Sequence, residues 1–373
     1  MKLSRGDRSL LSEWWFTIDR VQLYAIYVLM FVGLVISIAA SPSVATDKGL
    51  SALYFVKRHA LFSVLGIAII FLTSLQTPYI IRRIALSLYA ISLFALIVVL
   101  FCGVQVNGSQ RWFFIFGQSL QPTEIVKPAF VVLVGWAFAE AQKRKDMPAL
   151  PIAIGLYIIL AGLIIMQPDV GQTALITIVW GILFFVTGIS LIWCINFFII
   201  GLVSMLIGYW NLPYIRYFLD QYLTSLVDER SQIRLAYKSF VDGGFLGRGP
   251  GEGIIKITLP DAHTDFIFSV VAEEYGVLTC LALLGLYAFI TCRGLSCALI
   301  EEDLGIRYGI IGLALIFGCQ ALINMGGTVG LLPMKGMTLP LISAGGSSIV
   351  GISLTLGMLL ALSRRRPRLA SIE

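Results

Sequence analysis

Apolar residues gather into runs of about twenty along most of this chain, parted by short polar turns and by three longer polar stretches. A helix rising about 1.5 Å per residue needs roughly 20 such residues to cross a hydrocarbon layer ~30 Å thick. Runs at about 21–41, 59–76, 84–103, 122–140, 150–166, 170–187, 190–209, 265–291, 305–326 and 347–362 therefore predict about ten membrane-spanning helices. Only a tight turn at Gly188 separates the sixth from the seventh. The expected fold class is an all-α polytopic membrane protein, with a transmembrane domain over 21–362 between an N-terminal tail, 1–20, and a basic C-terminal tail, 363–373. A large external loop, 210–264, falls between helices 7 and 8, and a shorter one occupies 104–121. The stretch 327–346, between helices 9 and 10, holds too many Gly and Pro residues for a continuous helix. Irregular backbone at membrane depth survives only where protein or water covers it, so a re-entrant external loop is expected there.

Composition agrees: 58% of residues are hydrophobic, 13% are charged and the mean hydropathy is +0.90, whereas about a quarter of a soluble domain is charged. The net charge of +6 is dispersed, so no basic domain for nucleic acid is implied. Lys2, Arg5, Arg8, Arg20, Arg82, Arg83, Lys143, Arg144, Lys145, Arg293, Arg364, Arg365, Arg366 and Arg368 all fall on one side if the spans number ten. The positive-inside rule then puts both termini in the cytoplasm. The first apolar run is too long for a signal-peptide core and reads as a retained helix. Six cysteines without metal-type spacing and two histidines, His59 and His263, suggest neither a disulfide framework nor a transition-metal site.

Four polar clusters recur on the external side. Arg111-Trp112 is followed by Gln121-Pro122-Thr123-Glu124 and Lys127-Pro128; Glu124 and Lys127, three apart, share a helix face, and Pro128 is expected to kink that helix. Gln167-Pro168-Asp169 makes a tight turn in which Asp169 is either a plain helix cap or a functional carboxylate. Pro260 precedes Asp261, His263, Thr264 and Asp265. Asp261 and Thr264 are natural N-caps, the helix is expected to run from Phe266 to about Cys292, and His263, Thr264 and Asp265 would sit at its first turn, where outward N–H groups favour anions. Glu273 and Glu274 point to different faces of that helix, so at least one needs a partner inside the bundle. The fourth cluster runs from Asn324 through Lys335 and Pro340 to Ser347-Ser348. In the large loop, paired charges near Asp228 and a glycine-rich run, Gly243 to Gly253, read as functional rather than disordered. Cations clamp phosphates and a carboxylate takes a proton from a sugar hydroxyl, so a substrate with a lipid tail, a pyrophosphate and a sugar would use every cluster. No ATP-binding loop or dinucleotide fingerprint is visible.

At these residues the chain resembles the SEDS family (shape, elongation, division and sporulation) of peptidoglycan glycosyltransferases. The likeness covers nearly all of the membrane region. It rests on Arg111-Trp112, Gln121-Pro122-Thr123-Glu124 with Lys127, Gln167-Pro168-Asp169 with Gly171, Pro260 with His263 to Phe268 and Glu273-Glu274, and Gly345-Gly346-Ser347-Ser348. The variant Lys335-Gly336-Met337-Thr338-Leu339-Pro340 is similar to the division branch, FtsW, more than to the elongation branch, RodA. Gln172, Thr123 and Ala344 depart from the usual pattern.

The resemblance implies polymerisation of lipid II into glycan strands on the external face of a bacterial inner membrane, at the division site, with undecaprenyl pyrophosphate released. It implies Asp265 as the catalytic residue, either as base or as a ligand to a divalent cation (Mg or Mn). Arg111, Glu124, Lys127, Asp169, His263, Thr264, Lys335, Ser347 and Ser348 are implied in substrate binding. The implied partners are a class B penicillin-binding transpeptidase and other division proteins. The competing reading of the same intramembrane charges is a lipid II flippase. Helix placement should lower the pKa of Asp265 and burial should raise it.

Overall fold

A computed structural model describes residues 9–47, 49–106, 109–115, 118–144, 146–188, 191–228, 231–333 and 336–365. Helices cover each of the ten apolar segments: α2 (Arg20–Asp47), α3 (Tyr54–Ser74), α4 (Pro78–Cys102), α5 (Pro122–Lys143), α6 (Ala149–Met166), α7 (Val170–Val186), α8 (Leu191–Asn211), α12 (Ile267–Ile300), α13 (Leu304–Thr328) and α14 (Gly346–Leu362). Among the described residues, α2, α3, α4, α6, α12 and α13 are long and apolar enough to cross a membrane, and α7 and α14 are apolar but shorter. A short helix, α1 (Leu10–Thr17), forms within the N-terminal tail, and Trp14 anchors it on α3 by a 2.8 Å hydrogen bond to Ser74 and an edge contact with Phe71.

Three helices make the centre of the bundle. From Pro122 to Ala139 nearly every residue of α5 is buried, and α13 and α14 pack against it with few exposed side chains. Outer helices turn Phe31, Leu61, Val64, Leu86, Ile91 and Phe94 outward, the surface that lipid solvates. Pro128 was expected to kink α5, but the helix runs through it as one element. Proline has no N–H to offer the Glu124 carbonyl. That carbonyl instead lies against Gly351 of α14, where an added Cβ would stand 2.3 Å from it.

The segment 104–121 is not a plain loop. It folds into an antiparallel sheet of β1 (Val104–Val106), β2 (Ser109–Ile115) and β3 (Gln118–Leu120), with Val104 opposite Trp112 and Phe113 opposite Leu120. The 210–264 segment is also ordered, as α9 (Pro213–Val227), α10 (Gln232–Gly243) and α11 (Ile255–Thr258).

The expected start and course of α12 need correction. Its N-cap is Phe266, without a side-chain cap; Asp261 and Thr264 do not cap it, and His263, Thr264 and Asp265 lie in the turn before the first helical residue. The helix reaches Ile300 but breaks at Gly276 (φ 80°, ψ 172°), a conformation that suits glycine. The glycine-rich run repairs the break. The Glu273 and Glu274 carbonyls accept from the Arg248 and Gly249 amides at 2.9 and 3.0 Å, while the Val277 and Leu278 amides donate to the Gly244 and Phe245 carbonyls at 3.0 and 3.3 Å. A freed backbone group inside a membrane protein must be satisfied by other protein. Side chains finish the splice: the Glu273 carboxylate accepts from the amides of Ile254, Ile255 and Lys256 at 2.6 to 3.0 Å, and Glu274 pairs with buried Lys256.

Gly351→Ala should force α14 away from the Glu124 carbonyl and cost roughly 1–3 kcal/mol, the usual range for overpacking. Gly155→Ala on α6, whose added Cβ meets nothing within 4 Å, should not. Thermal unfolding of the detergent-solubilised protein separates the two; equal stability would contradict the close approach.

Candidate active site

β2 delivers Arg111 to the turn between α6 and α7. Its Nε donates to the Gln167 carbonyl at 3.2 Å, one terminal nitrogen donates to the Pro168 carbonyl, and Nη1 lies 3.3 Å from Asp169 Oδ2. Asp169 also caps α7, accepting the Gln172 amide at 3.2 Å, so the cap reading holds for the side chain that faces Arg111. Burial pushes the Asp169 carboxyl above its ordinary range; Glu124 adds to the rise, against Arg111, the Gln172 amide and Lys127.

From Asp169 the network crosses to α5. Gln172 Nε2 donates to Glu124 Oε1 at 2.8 Å, and Glu124 Oε2 is 2.9 Å from Lys127 Nζ. Lys127, only 1% exposed, donates to Gln320 Oε1 of α13 at 2.6 Å. Gln320 Nε2 in turn donates to the Thr338 carbonyl at 3.1 Å, and the Thr338 hydroxyl bonds Ser348 at 2.6 Å. Removing two such charges from water is costly without pairing, and beyond their own ion pair the two amides supply one hydrogen bond to each.

Asp265 enters through the same loop. Its Oδ2 accepts the Gly336 amide at 3.1 Å, and Asn324 Nδ2 donates to the carbonyls of Asp265 and Met337 at 3.0 and 2.6 Å. A Cβ on Gly336 would stand 3.2 Å from Arg111 Nη1, so the guanidinium and the Asp265 carboxylate bracket one peptide. Asp265 is part-exposed as a residue, yet the protein around it dominates its titration. Burial pushes its carboxyl up to about 7, with Asp261 and Asp169 adding to the rise and the Gly336 amide and Arg111 opposing it. Between helix placement and burial, burial wins.

The expected site residues therefore fall into three groups. Asp265, Arg111, Asp169, Glu124, Lys127 and Ser348 belong to one continuous network, with Ser347 part-exposed beside Ser348. His263 and Thr264 support the loop from below: the Ala344 amide donates to the His263 carbonyl at 3.1 Å, the Ser343 hydroxyl to the Thr264 carbonyl at 2.6 Å, and the His263 ring lies 4.3 Å from that of Phe55. Lys335 lies outside the described residues. Gln320 was not expected in the site, and Gln172 and Asn324 stood in the polar clusters without a role of their own. Gln320 and Asn324, four apart in an apolar helix and hence on one face, carried the signal that could have found them.

Among the described residues, no three His, Cys, Asp or Glu side chains gather to hold a metal ion. Magnesium often takes one or two carboxylates and completes its shell with substrate phosphate and water. Asp265, with the Asp261 carboxylate acting on it more strongly than the Arg111 guanidinium, fits as a protein ligand to such an ion.

Residues 20–368 match the family model described as "Cell cycle protein", that of FtsW, RodA and SpoVE. A probable peptidoglycan glycosyltransferase FtsW of Caulobacter vibrioides is 40% identical over 365 residues, 98% of this chain and 94% of that protein. One of Trichlorobacter lovleyi is 32% identical over 357 residues, 92% of this chain and 93% of that protein. Among solved structures, a chain of a peptidoglycan synthase complex superposes with a TM-score of 0.75 at 26% identity, over 93% of this chain and 97% of that one. The rod shape determining protein RodA of Thermus thermophilus superposes with a TM-score of 0.68 at 25% identity, over 95% and 99%.

Lys127→Met strands the Glu124 carboxylate and should cost on the order of 3–5 kcal/mol. Adding Glu124→Gln to Lys127→Met should recover much of that loss. Unfolding of the two variants beside the parent tests the pairing; a fully stable Lys127→Met would contradict it.

Proposed function

The chain belongs to the FtsW/RodA/SpoVE cell cycle protein family, and from that premise we propose that it is a peptidoglycan glycosyltransferase that polymerises lipid II. The observation that carries the reading is the placement of a part-exposed carboxylate, pushed up to about 7 by burial, one peptide away from a buried guanidinium. A base working near neutral pH needs that titration range, and a departing diphosphate needs that cation.

Asp265 takes the proton from the 4-hydroxyl of the acceptor sugar. The resulting oxygen attacks the anomeric carbon of the donor from the side opposite its diphosphate, forming the β-1,4 bond as the carbon–oxygen bond to undecaprenyl diphosphate breaks. Arg111 faces the leaving diphosphate. Its nitrogens are already held by the Gln167 and Pro168 carbonyls and by Asp169, so it is oriented in advance, and it exchanges part of its hold on Asp169 for the ligand. Lys127 and Glu124 fix the Gln320 end of the same loop and keep the Gly336 amide aimed at Asp265. A divalent cation bound to the diphosphate would add charge neutralisation there.

The basic residues mark the other end of these helices. Glu124 opens α5 and Lys143 closes it; Asp265 precedes α12 and Arg293 lies near its far end. This reading puts the basic end and both termini in the cytoplasm, and Asp265 on the external face of the inner membrane at the division site. The partner it implies is a class B penicillin-binding transpeptidase, which crosslinks the strands this chain makes.

Purified protein in detergent, given lipid II with and without such a partner, tests the reading without two compartments. Glycan strands should form, and Asp265→Asn should slow them by about 10²–10⁴, the usual worth of a general base. A flippase would make no polymer under either condition. The rate should rise with pH through about 7 as Asp265 loses its proton. The linkage runs the other way for stability. The raised pKa means that the folded state holds its proton more tightly, so Asp265 costs stability as pH rises from the ordinary carboxylate range to about 7 and fully above it. Asp265→Asn should therefore unfold no earlier than the parent at pH 8, and an earlier unfolding would mark Asp265 as structural.

A further inference from the structure

The end of the bundle opposite Asp265 contains a cavity of about 250 Å³ that the proposed reaction does not use. Thr17, Asp19, Arg20, Arg293, Cys297 and Arg365 contribute to its walls. Both oxygens of Asp19 are committed. Oδ1 accepts the Val21 and Gln22 amides at 3.1 and 3.2 Å, and Oδ2 pairs with Arg293 Nε at 2.7 Å. The walls thus carry three guanidinium groups against one carboxylate.

These arginines are held in place. Arg20 donates through Nε to the Trp15 carbonyl at 3.1 Å, and its guanidinium carbon lies 4.8 Å from the Trp15 ring and 5.5 Å from that of Phe16. The backbone of Arg365 is fixed by its amide, which donates to the Thr17 carbonyl at 3.0 Å, while its residue stays exposed. Guanidinium groups recognise phosphate through paired N–H donors, and basic pockets between membrane helices suit anionic headgroups. An apolar track leads away from the cavity along α2, where Val21, Tyr24 and Val28 are 52%, 54% and 51% exposed on one face. A free phosphate would have no use for that track, whereas an acyl chain would.

We propose that this cavity binds the phosphate headgroup of an anionic phospholipid, with its acyl chains along the Val21–Val28 face of α2. The purified full chain in detergent would be analysed by native mass spectrometry with phosphatidylglycerol, phosphatidylcholine of the same chains, or inorganic phosphate. Phosphatidylglycerol should be retained preferentially, and Arg20→Gln and Arg365→Gln should each weaken retention about five-fold. Lys143→Gln, at the same end but outside the cavity, should leave it unchanged. If Arg20→Gln unfolds early, Arg365→Gln on its exposed side chain carries the comparison alone. Equal retention of phosphatidylcholine, or retention indifferent to Arg365→Gln, would overturn the proposal. So would displacement of phosphatidylglycerol by equimolar inorganic phosphate, which would make the ligand a soluble anion.

Discussion

A lysine and a glutamate that are almost wholly buried in a bundle of apolar helices, Lys127 and Glu124, set the terms for the rest of the molecule. Their mutual attraction does not by itself repay their removal from water, so every remaining lone pair and proton needs a partner. Gln172 and Gln320 meet part of that demand from two different helices, and through them the pair reaches Asp169, Arg111 and the loop that ends at Ser348. What begins as a desolvation requirement becomes a rigid scaffold for Asp265.

The same accounting explains the architecture. The most polar of the helices on the ten apolar segments, α5, lies at the centre, where α13 and α14 rather than lipid surround it. Broken backbone follows the rule as well: α12 is interrupted at Gly276, and the glycine-rich run supplies both donors and acceptors to the loose ends. Two glycines of that run leave room for the helix backbone: a Cβ would stand 2.0 Å from the Ala272 carbonyl at Gly243 and 2.2 Å from the Glu274 carbonyl at Gly247. Paired groups give a stiff site, and a stiff site would hold the proposed base, Asp265, and the proposed diphosphate ligand, Arg111, in register with reacting atoms.

Much of this was legible in the order of residues, because the strongest signals are local and repetitive. Twenty-residue apolar runs have few alternatives to spanning helices, and Asp169 before an apolar run caps it as expected. The losses were of two kinds. Short strands such as β1 and β3, three residues each, carry too little alternation to be seen, although Asn107-Gly108 between β1 and β2 was a hairpin signal in plain view. The other losses were long-range. Nothing near Gly243 in sequence announces that it will meet Ala272, and nothing near Gln320 announces Lys127, 193 residues away. Local rules also misassigned Asp261 and Thr264 as caps, because the backbone there is held instead by the returning loop at Ser343 and Ala344. The chemistry of Asp265, Arg111 and Lys127 foretold their assembly only on the supposition that one substrate needed all three.

The most direct test is a determined structure of the protein with lipid II, or a non-hydrolysable analogue of its diphosphate, bound. The diphosphate should lie against the Arg111 guanidinium and an acceptor hydroxyl within roughly 2.6–3.2 Å of the Asp265 carboxylate, the reach of a general base. A diphosphate seated away from Arg111, with Asp265 turned from the sugar, would contradict both assignments.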